Sequence, residues 1–410
     1  MSHLLLEPGQ AEREGLAQYR GRGGYRGLQR TLTQGGAWAI GELAAAGLRG
    51  RGGSGRGMPT GAKWGRVAAA LNRTRYVVAN GAETSPVSRK DRELLTLHPH
   101  RVLEGLLCAA AATGAAAAYV YIRGDALAAV AAMQAALEEA EAAGLCGPGG
   151  ACLVPVLLHV GVPSYIAGEA TALIDALEGM QGLPQPKPPY PEASGLFGCP
   201  TVVNNVETLA AAAAVLCHGA AAFRAAGGTP ECPGAALFTV SGDVARPGVY
   251  ELPYGTPLSG LLALAGAPPA AELLAVLPGG LSSGPLRPDE LDVPLTYESL
   301  QALGSTLGPA AVLVLRRGEL DLPTIVEESV AQLAGWSCGQ CKGCKFGSAD
   351  LAAALSRHDL ALARELAVLL HHGKGNCAHP EGIAMFTLRA LDRFPEAWPA
   401  YQAQKGTPQV

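Results

Sequence analysis

The chain has 410 residues, 49% hydrophobic and 5% aromatic, with a formal net charge of −4. That length supports two or three domains with their own cores, and the charge lacks the basic excess that nucleic-acid binding calls for. The opening MSHLLLEPGQAERE has no basic segment running into an apolar one, so no signal peptide is expected. The most apolar run, Leu106 to Ile122, is mostly alanine, too weak for a membrane span. The expected location is the cytoplasm.

The first forty residues predict short helices. Gly47 to Trp64, GLRGRGGSGRGMPTGAKW, then packs seven glycines among Arg49, Arg51, Arg56 and Lys63. Glycines let backbone amides approach a ligand closely, and successive amides form an anion-binding nest. A helix expected from Thr60 would add its positive end. The stretch suits phosphate, although a surface loop has the same composition. It is not a P-loop, because no G-K-S or G-K-T follows. Tyr76 to Asn80 predicts a buried strand running into GAETSPVSRKDREL, and strand-end loops are where α/β folds place ligands. Leu94 to Ala112 predicts a helix, Ala117 to Ile122 a strand, Leu127 to Ala143 a helix and Val154 to Val160 a strand. This alternation predicts a mostly parallel sheet covered by helices.

A turn and helix follow over Tyr165 to Gly179, with Gly168-Glu169 at the helix start. Pro184 to Pro191 reads as an extended linker. Thr201 to Val203 is strand-like, and Asn204-Asn205 turns the chain into a helix through Glu207 and Thr208. One of these asparagines could simply cap that helix. From Gly234 the pattern becomes a compact α+β module: two short strands, a turn at Arg246-Pro247-Gly248, a short helix and a closing strand over Val312 to Leu315. Helices are expected from Ile325 to Tyr401.

Ten cysteines are present. Cys338, Cys341 and Cys344 stand at C-x-x-C-x-x-C spacing in WSCGQCKGCKFG, and Cys377 follows in GKGNCAHP. A [4Fe–4S] cluster needs four thiolates, of which a tight turn can supply three. Zinc is the alternative, since thiolates also select it and His358, His371, His372 and His379 are near in sequence. Cys108, Cys146, Cys152, Cys199, Cys217 and Cys232 are scattered and read as small apolar residues in a reducing compartment. A Cys146–Cys152 bridge is the alternative for that pair.

The combination of GRGGSG…PTGAKW, PTVVNNVETLA and SCGQCKGC with a later lone cysteine resembles the flavin- and NADH-binding subunit of respiratory complex I and its relatives in NAD-linked hydrogenases and formate dehydrogenases. The resemblance runs from about Gly23 to Phe394. It implies a Rossmann-like FMN domain with a mostly parallel sheet (1–233), a ubiquitin-like soluble-ligand-binding module (234–320) and a helical [4Fe–4S] domain (321–410). It implies FMN contacts from Gly50, Gly52, Lys63, Asn80, Glu83, Gly168, Glu169, Asn204, Asn205 and Thr208, and cluster ligation by Cys338, Cys341, Cys344 and Cys377. It further implies a thioredoxin-like [2Fe–2S] or ferredoxin-like partner within a hetero-oligomer, attached to the cytoplasmic side of a membrane only through other subunits.

The dinucleotide side departs from the family pattern. Arg56 and Gly57 are inserted in the glycine loop, and Met58 and Arg66 stand where aromatics are usual. Ala82 replaces an aspartate, while Ser85 and Ala170 replace glutamates. Lys187 and Tyr190 still match. Losing one buried hydrogen bond costs about 1–3 kcal/mol, so several losses weaken NADH binding unless new contacts compensate. Arg56 and Arg66 could supply them by meeting a 2′-phosphate. Three functions follow: an NAD(P)H-linked flavin/iron–sulfur subunit, which is the expectation; a nicotinamide-independent relay between a ferredoxin-like partner and another redox subunit; and a structural subunit keeping only the cluster.

Overall fold

A computed structural model describes residues 4–7, 9–53, 57–318, 321–373 and 375–398. The chain opens with helices α1 (Leu16–Gly21), α2 (Arg26–Gln34), α3 (Gly36–Ala46) and α4 (Thr60–Ala68), followed by β1 (Tyr76–Gly81), α5 (Lys90–Leu97), α6 (Pro99–Thr113), β2 (Ala117–Arg123), α7 (Leu127–Ala142), β3 (Val156–Gly161), α8 (Ala170–Leu177), β4 (Thr201–Asn205), α9 (Val206–His218) and α10 (Ala220–Ala225). The helix expected over Leu94 to Ala112 is two helices. Pro99 cannot donate into a continuing ladder and biases His98 away from the helical region, so α5 ends at Leu97 and α6 starts at Pro99. The third strand starts at Val156 rather than Val154, because Pro155 has no N–H to give a neighbour.

The first sheet is wholly parallel, in the order β3-β2-β1-β4. Alternate residues of β1 face opposite ways: Val77 and Ala79 join the core under α6 and α9, and Val78 joins a smaller core with Leu173 and Ile174 of α8. Alanine and glycine are abundant because α6 and α9 cross at close range. A Cβ on Gly105 would lie 2.0 Å from the carbonyl oxygen of Leu209, so only glycine fits there. The chain leaves β1 toward β2 and β3 and later returns to place β4 on the other side of β1. The carboxyl ends of β1 and β4 therefore flank the switch point where open α/β sheets bind ligands.

The second sheet comprises β5 (Ala235–Gly242), β6 (Gly248–Pro253), β7 (Leu273–Leu277) and β8 (Ala311–Arg316), in the order β6-β5-β8-β7 with β5 parallel to β8. Helices α11 (Leu258–Ala265) and α12 (Tyr297–Ala302) belong to this module. It has one strand more than its sequence suggests: LLAVL is a short apolar run without polar alternation, ambiguous by period alone, and pairing with β8 makes it a strand. Val312 and Val314 face α11, whereas Leu313 and Leu315 face helices α13 (Leu322–Gly335), α14 (Lys342–Ser356), α15 (Leu360–His372) and α16 (His379–Arg393). One core thus joins the module to the terminal bundle. Among the described residues no helix is long and apolar enough to cross a membrane.

Candidate functional site

Asn80 of β1 lies in register with Asn205 of β4 at the switch point. A cavity of about 280 Å³ opens above them, walled by Gly52, Asn80, Glu83, Gly168 and Asn205, five of the sequence-predicted contacts. Its far wall comes from Gly279 and Pro309 of the second module, Ala378 at the start of α16 and Glu381 in its first turn. All three parts of the chain meet there. A Cβ on Gly52 would lie 3.3 Å from Asn205 Cβ, so glycine leaves room at the point where the loop passes the strand end. Asn205 caps α9, its side chain accepting the Glu207 N–H at 3.0 Å. The capping alternative is therefore correct for Asn205, and the capped helix start still points at the cavity.

The other predicted contacts stand just behind this wall. Trp64 Nε1 donates to Asn204 Oδ1 at 2.8 Å, and the Thr208 hydroxyl accepts the Arg51 N–H at 2.9 Å. Lys63 Nζ donates to the Val203 carbonyl at 3.0 Å and faces Glu192 at 3.7 Å. Burial pulls the Lys63 pKa down, and Glu192 only partly offsets this. An ammonium so placed gains from an anion brought to it. The Gly50 carbonyl accepts the Tyr297 hydroxyl. Glu169 caps α8 and pairs with Lys187 at 2.6 Å. A polar crevice with amide donors, a half-buried ammonium behind it and a helix start suits the phosphate and ribityl chain of FMN.

Sequence reasoning missed Lys90 and Asp91, which lie in the cavity wall and are buried. Lys90 Nζ donates to Asp91 Oδ1 at 2.7 Å and meets Glu207 at 2.9 Å, while Asn205 Nδ2 donates to Asp91 Oδ2 at 2.6 Å. Burial lowers the Lys90 pKa, but Asp91 and Glu207 outweigh it and the net shift is upward. Adjacent charges at a helix start ordinarily read as solvated. Their available signal was position, directly after a strand-end loop.

The cysteine loop lies between α13 and α14. The triplet does not sit wholly in that loop: Cys341 is the N-cap of α14 and Cys344 falls in its first turn, because KGCKFGSADLAAALS continues as a good helix. The Asn376 N–H points at Cys341 Sγ, 3.4 Å away, which draws the Cys377 segment to the triplet. Burial raises the Cys377 thiol to about 11, and Cys338 and Cys344 add to it. Cys344 is likewise raised by burial, with Cys338 and Cys341 contributing. Four soft sulfurs within electrostatic reach suit an iron–sulfur cluster. Among the described residues no three His, Cys, Asp or Glu side chains gather closely enough for a single metal ion. His379 instead bonds the Leu333 carbonyl at 2.8 Å. All ten cysteines are unpaired, Cys146 and Cys152 included.

Tyr165, which follows β3, joins the two sites. It lines the switch-point cavity, stacks on Trp336 at 4.8 Å and tilts against His379 at 5.0 Å. Trp336 and His379 flank Cys338 and Cys377. A larger open cavity of about 1110 Å³ shares Thr84, Ser85, Ser88 and Tyr165 with the first and reaches Trp336 and Cys338. Of the nucleotide-side candidates, Tyr190 is 55% exposed, Arg66 is exposed beside Met58 Sδ, and Arg56 lies outside the described residues. Neither Tyr190 nor Arg66 lines the switch-point cavity.

Three family descriptions match the chain in order: the Nuo51 FMN-binding domain over residues 43–214, the SLBB domain over 237–282, and the NADH-ubiquinone oxidoreductase-F iron–sulfur binding region over 324–401. The F subunit of the NADH-quinone oxidoreductase of Streptomyces coelicolor is 36% identical over 95% of this chain and 88% of its own length. The second such F subunit of Rhizobium meliloti is 37% identical over 96% of both. The chain belongs to the family of NADH-quinone oxidoreductase F subunits. Its fold also matches the crystal structure of an NAD+-reducing [NiFe]-hydrogenase in the H2-reduced state, with a TM-score of 0.84 and 32% identity over 97% of this chain and 68% of that one. As a member of the F-subunit family it is an FMN- and [4Fe–4S]-dependent electron-transfer protein.

Proposed function

We propose that this chain takes electrons from a nicotinamide dinucleotide onto FMN held at the β1/β4 switch point and passes them to a [4Fe–4S] cluster held by Cys338, Cys341, Cys344 and Cys377. The observation that carries the reading is the sharing of one short segment by both sites: Ala378, next to Cys377, forms part of the flavin cavity wall. FMN supplies conversion of an electron pair into single electrons. The residues of the chain do the rest. Lys63, the glycine loop at Gly50 and Gly52, and the α9 start with Asn204, Asn205 and Thr208 hold the phosphate end. Asn80, Glu83 and Gly168-Glu169 position the ring end, and Tyr165 fills the space between cavity and cluster. The working limits of the three parts are 1–233, 234–320 and 321–410.

Lys187, Tyr190, Arg66 and Arg56 form the proposed dinucleotide side, and the two arginines favour NADPH. Lys187 already holds Glu169, so contact with a nucleotide must compete with that ion pair. A nicotinamide-independent relay is the second reading, favoured by the neutral Ala82 and Ser85 in the cavity wall where the family pattern has carboxylates. The names of the relatives support assembly with other redox subunits. We propose a thioredoxin-like [2Fe–2S] subunit as the neighbour and membrane attachment only through such partners.

The test is an anaerobic titration of cluster-reconstituted protein with NADH, then NADPH, then dithionite, following flavin absorbance and the reduced-cluster EPR signal. Bleaching by a nucleotide is expected. Bleaching by dithionite alone would replace this reading with the relay. A reconstituted cluster without any flavin would leave the structural role.

A further inference from the structure

The floor of the switch-point cavity carries more carboxyl groups than cations. Lys90 pairs with Asp91 and Glu207, Arg51 pairs with Glu207 just beneath the cavity, Glu83 lines the same wall as Lys90 and Asp91, and all five side chains are buried. Glu207 is met by both cations and by the Leu237 N–H at 3.0 Å. Glu83 accepts the Ser88 hydroxyl and the N–H groups of Asp91 and Arg92 at the start of α5, where the helix favours an anion. Asp91 has the weakest set, one ammonium and one neutral amide. Two cations against three buried carboxyls leave one negative charge uncompensated, and a buried carboxyl in that position holds a proton most cheaply. Asp91 is the group left to hold it, and it faces the cavity.

We propose that Asp91 is a proton-holding residue coupled to the redox state of the flavin. The inference rests on the flavin occupying the switch-point cavity. A flavin bound here would accept a hydride from the dinucleotide, one proton and two electrons as the donor C–H bond breaks, and would so gain one negative charge. Where Asp91 is still ionised, it would then take one proton from solvent on its carboxylate. On reoxidation of the bound flavin, Asp91 would release that proton to water. Asn205 links the two, since its amide touches Asp91 Oδ2 and its Cβ abuts Gly52. The groups that bear on this titration are Lys90 on α5, Glu83 after β1, Glu207 on α9, Arg51 in the glycine loop and Glu381 on α16 across the cavity. Burial raises Asp91, Lys90 opposes it, and Glu83 and Glu207 add to the rise, leaving it at about 7. A reduced flavin moves it higher and so draws in a proton near neutrality.

The first experiment is infrared titration of the flavin-free full chain from about pH 5 to about pH 9, spanning the ordinary and raised carboxyl ranges. A protonated-carboxyl band that disappears near pH 7 and is absent in Asp91→Asn is expected, and its absence from the wild type overturns the proposal. The second compares proton uptake, by indicator dye, as flavin-loaded wild type and Asp91→Asn are reduced by the same reagent. At about pH 8, where Asp91 is mostly ionised while the flavin is oxidised, the variant should take up fewer protons per flavin by up to about one, and by at most about half a proton at pH 7. Equal uptake at equal flavin occupancy overturns the proposal. If Asp91→Asn holds no flavin, Lys90→Met decides: removing the ammonium must move the infrared midpoint upward, and an unmoved midpoint is fatal. Wild type that binds no flavin but shows the band defeats the flavin assignment and its coupling, while leaving the carboxyl titration established.

Discussion

The cysteine loop and the switch-point crevice, the proposed cluster and flavin sites, are built by opposite means. The loop offers three cysteines within seven consecutive residues and the proposal adds Cys377 as a fourth ligand, all supported by the apolar bundle. The crevice is assembled from the glycine loop, β1, α5, β4 and α9, through polar bonds spanning more than a hundred residues, such as Asn205 to Asp91 and Trp64 to Asn204. A local ligand set survives change elsewhere in the chain. A long-range polar network fails when one partner is lost, since each remaining group is then buried and unpaired.

The largest expected effect breaks only the first site. Cys377→Ser should abolish the reduced-cluster EPR signal and lower bound iron, with flavin content unchanged; flavin loss in parallel would show the two sites to be one folding unit. Asn205→Ala should weaken FMN binding on the order of 10–100-fold, the equivalent of about 1–3 kcal/mol for a buried hydrogen-bond partner, while leaving iron content intact. Fluorescence titration with FMN measures it, and an unchanged affinity would move the flavin away from the β4 end.

A third polar network sharpens the contrast because it holds no redox group. Glu14 is buried; burial raises its carboxyl, but His98 and Arg101 outweigh this and bring it to about 2. With its folded pKa below its unfolded one, its contribution is present above about pH 4.5 and is lost as pH falls toward about 2. Denaturant unfolding across that range should show stability falling by about 2–3 kcal/mol more in wild type than in Glu14→Gln. The smallest effect concerns Arg66→Ala, which should weaken NADPH about fivefold or less and leave NADH unchanged, as fits an exposed cation. No change for NADPH would remove Arg66 from the dinucleotide side.

Much of the cluster and crevice was legible because their residue types are unusual where they stand. Polar Asn80 and Asn204-Asn205 at strand ends, glycines beside arginines, and closely spaced cysteines each announce a local need. Lys90, Asp91 and Glu207 were not legible, since charged residues on helices normally face water. The break at His98-Pro99 was visible as a proline and was outweighed by the apolar period on either side. LLAVL had the length of a strand but no alternation to name it.

The sequence by itself determined most of the element order, the parallel βα alternation and the cysteine set, and its motifs carried the resemblance to the family. The elements and the cysteine set follow from short-range periodicity and spacing. Only the tertiary structure decided that Asn80 and Asn205 stand in register, that Glu207 lies between Arg51 and Lys90, and that Ala378 closes the cavity beside Cys377. Those contacts arise from β4 returning to the far side of β1 and from the bundle packing on the second sheet. Both place residues together that are more than a hundred positions apart, and no local pattern records such a distance.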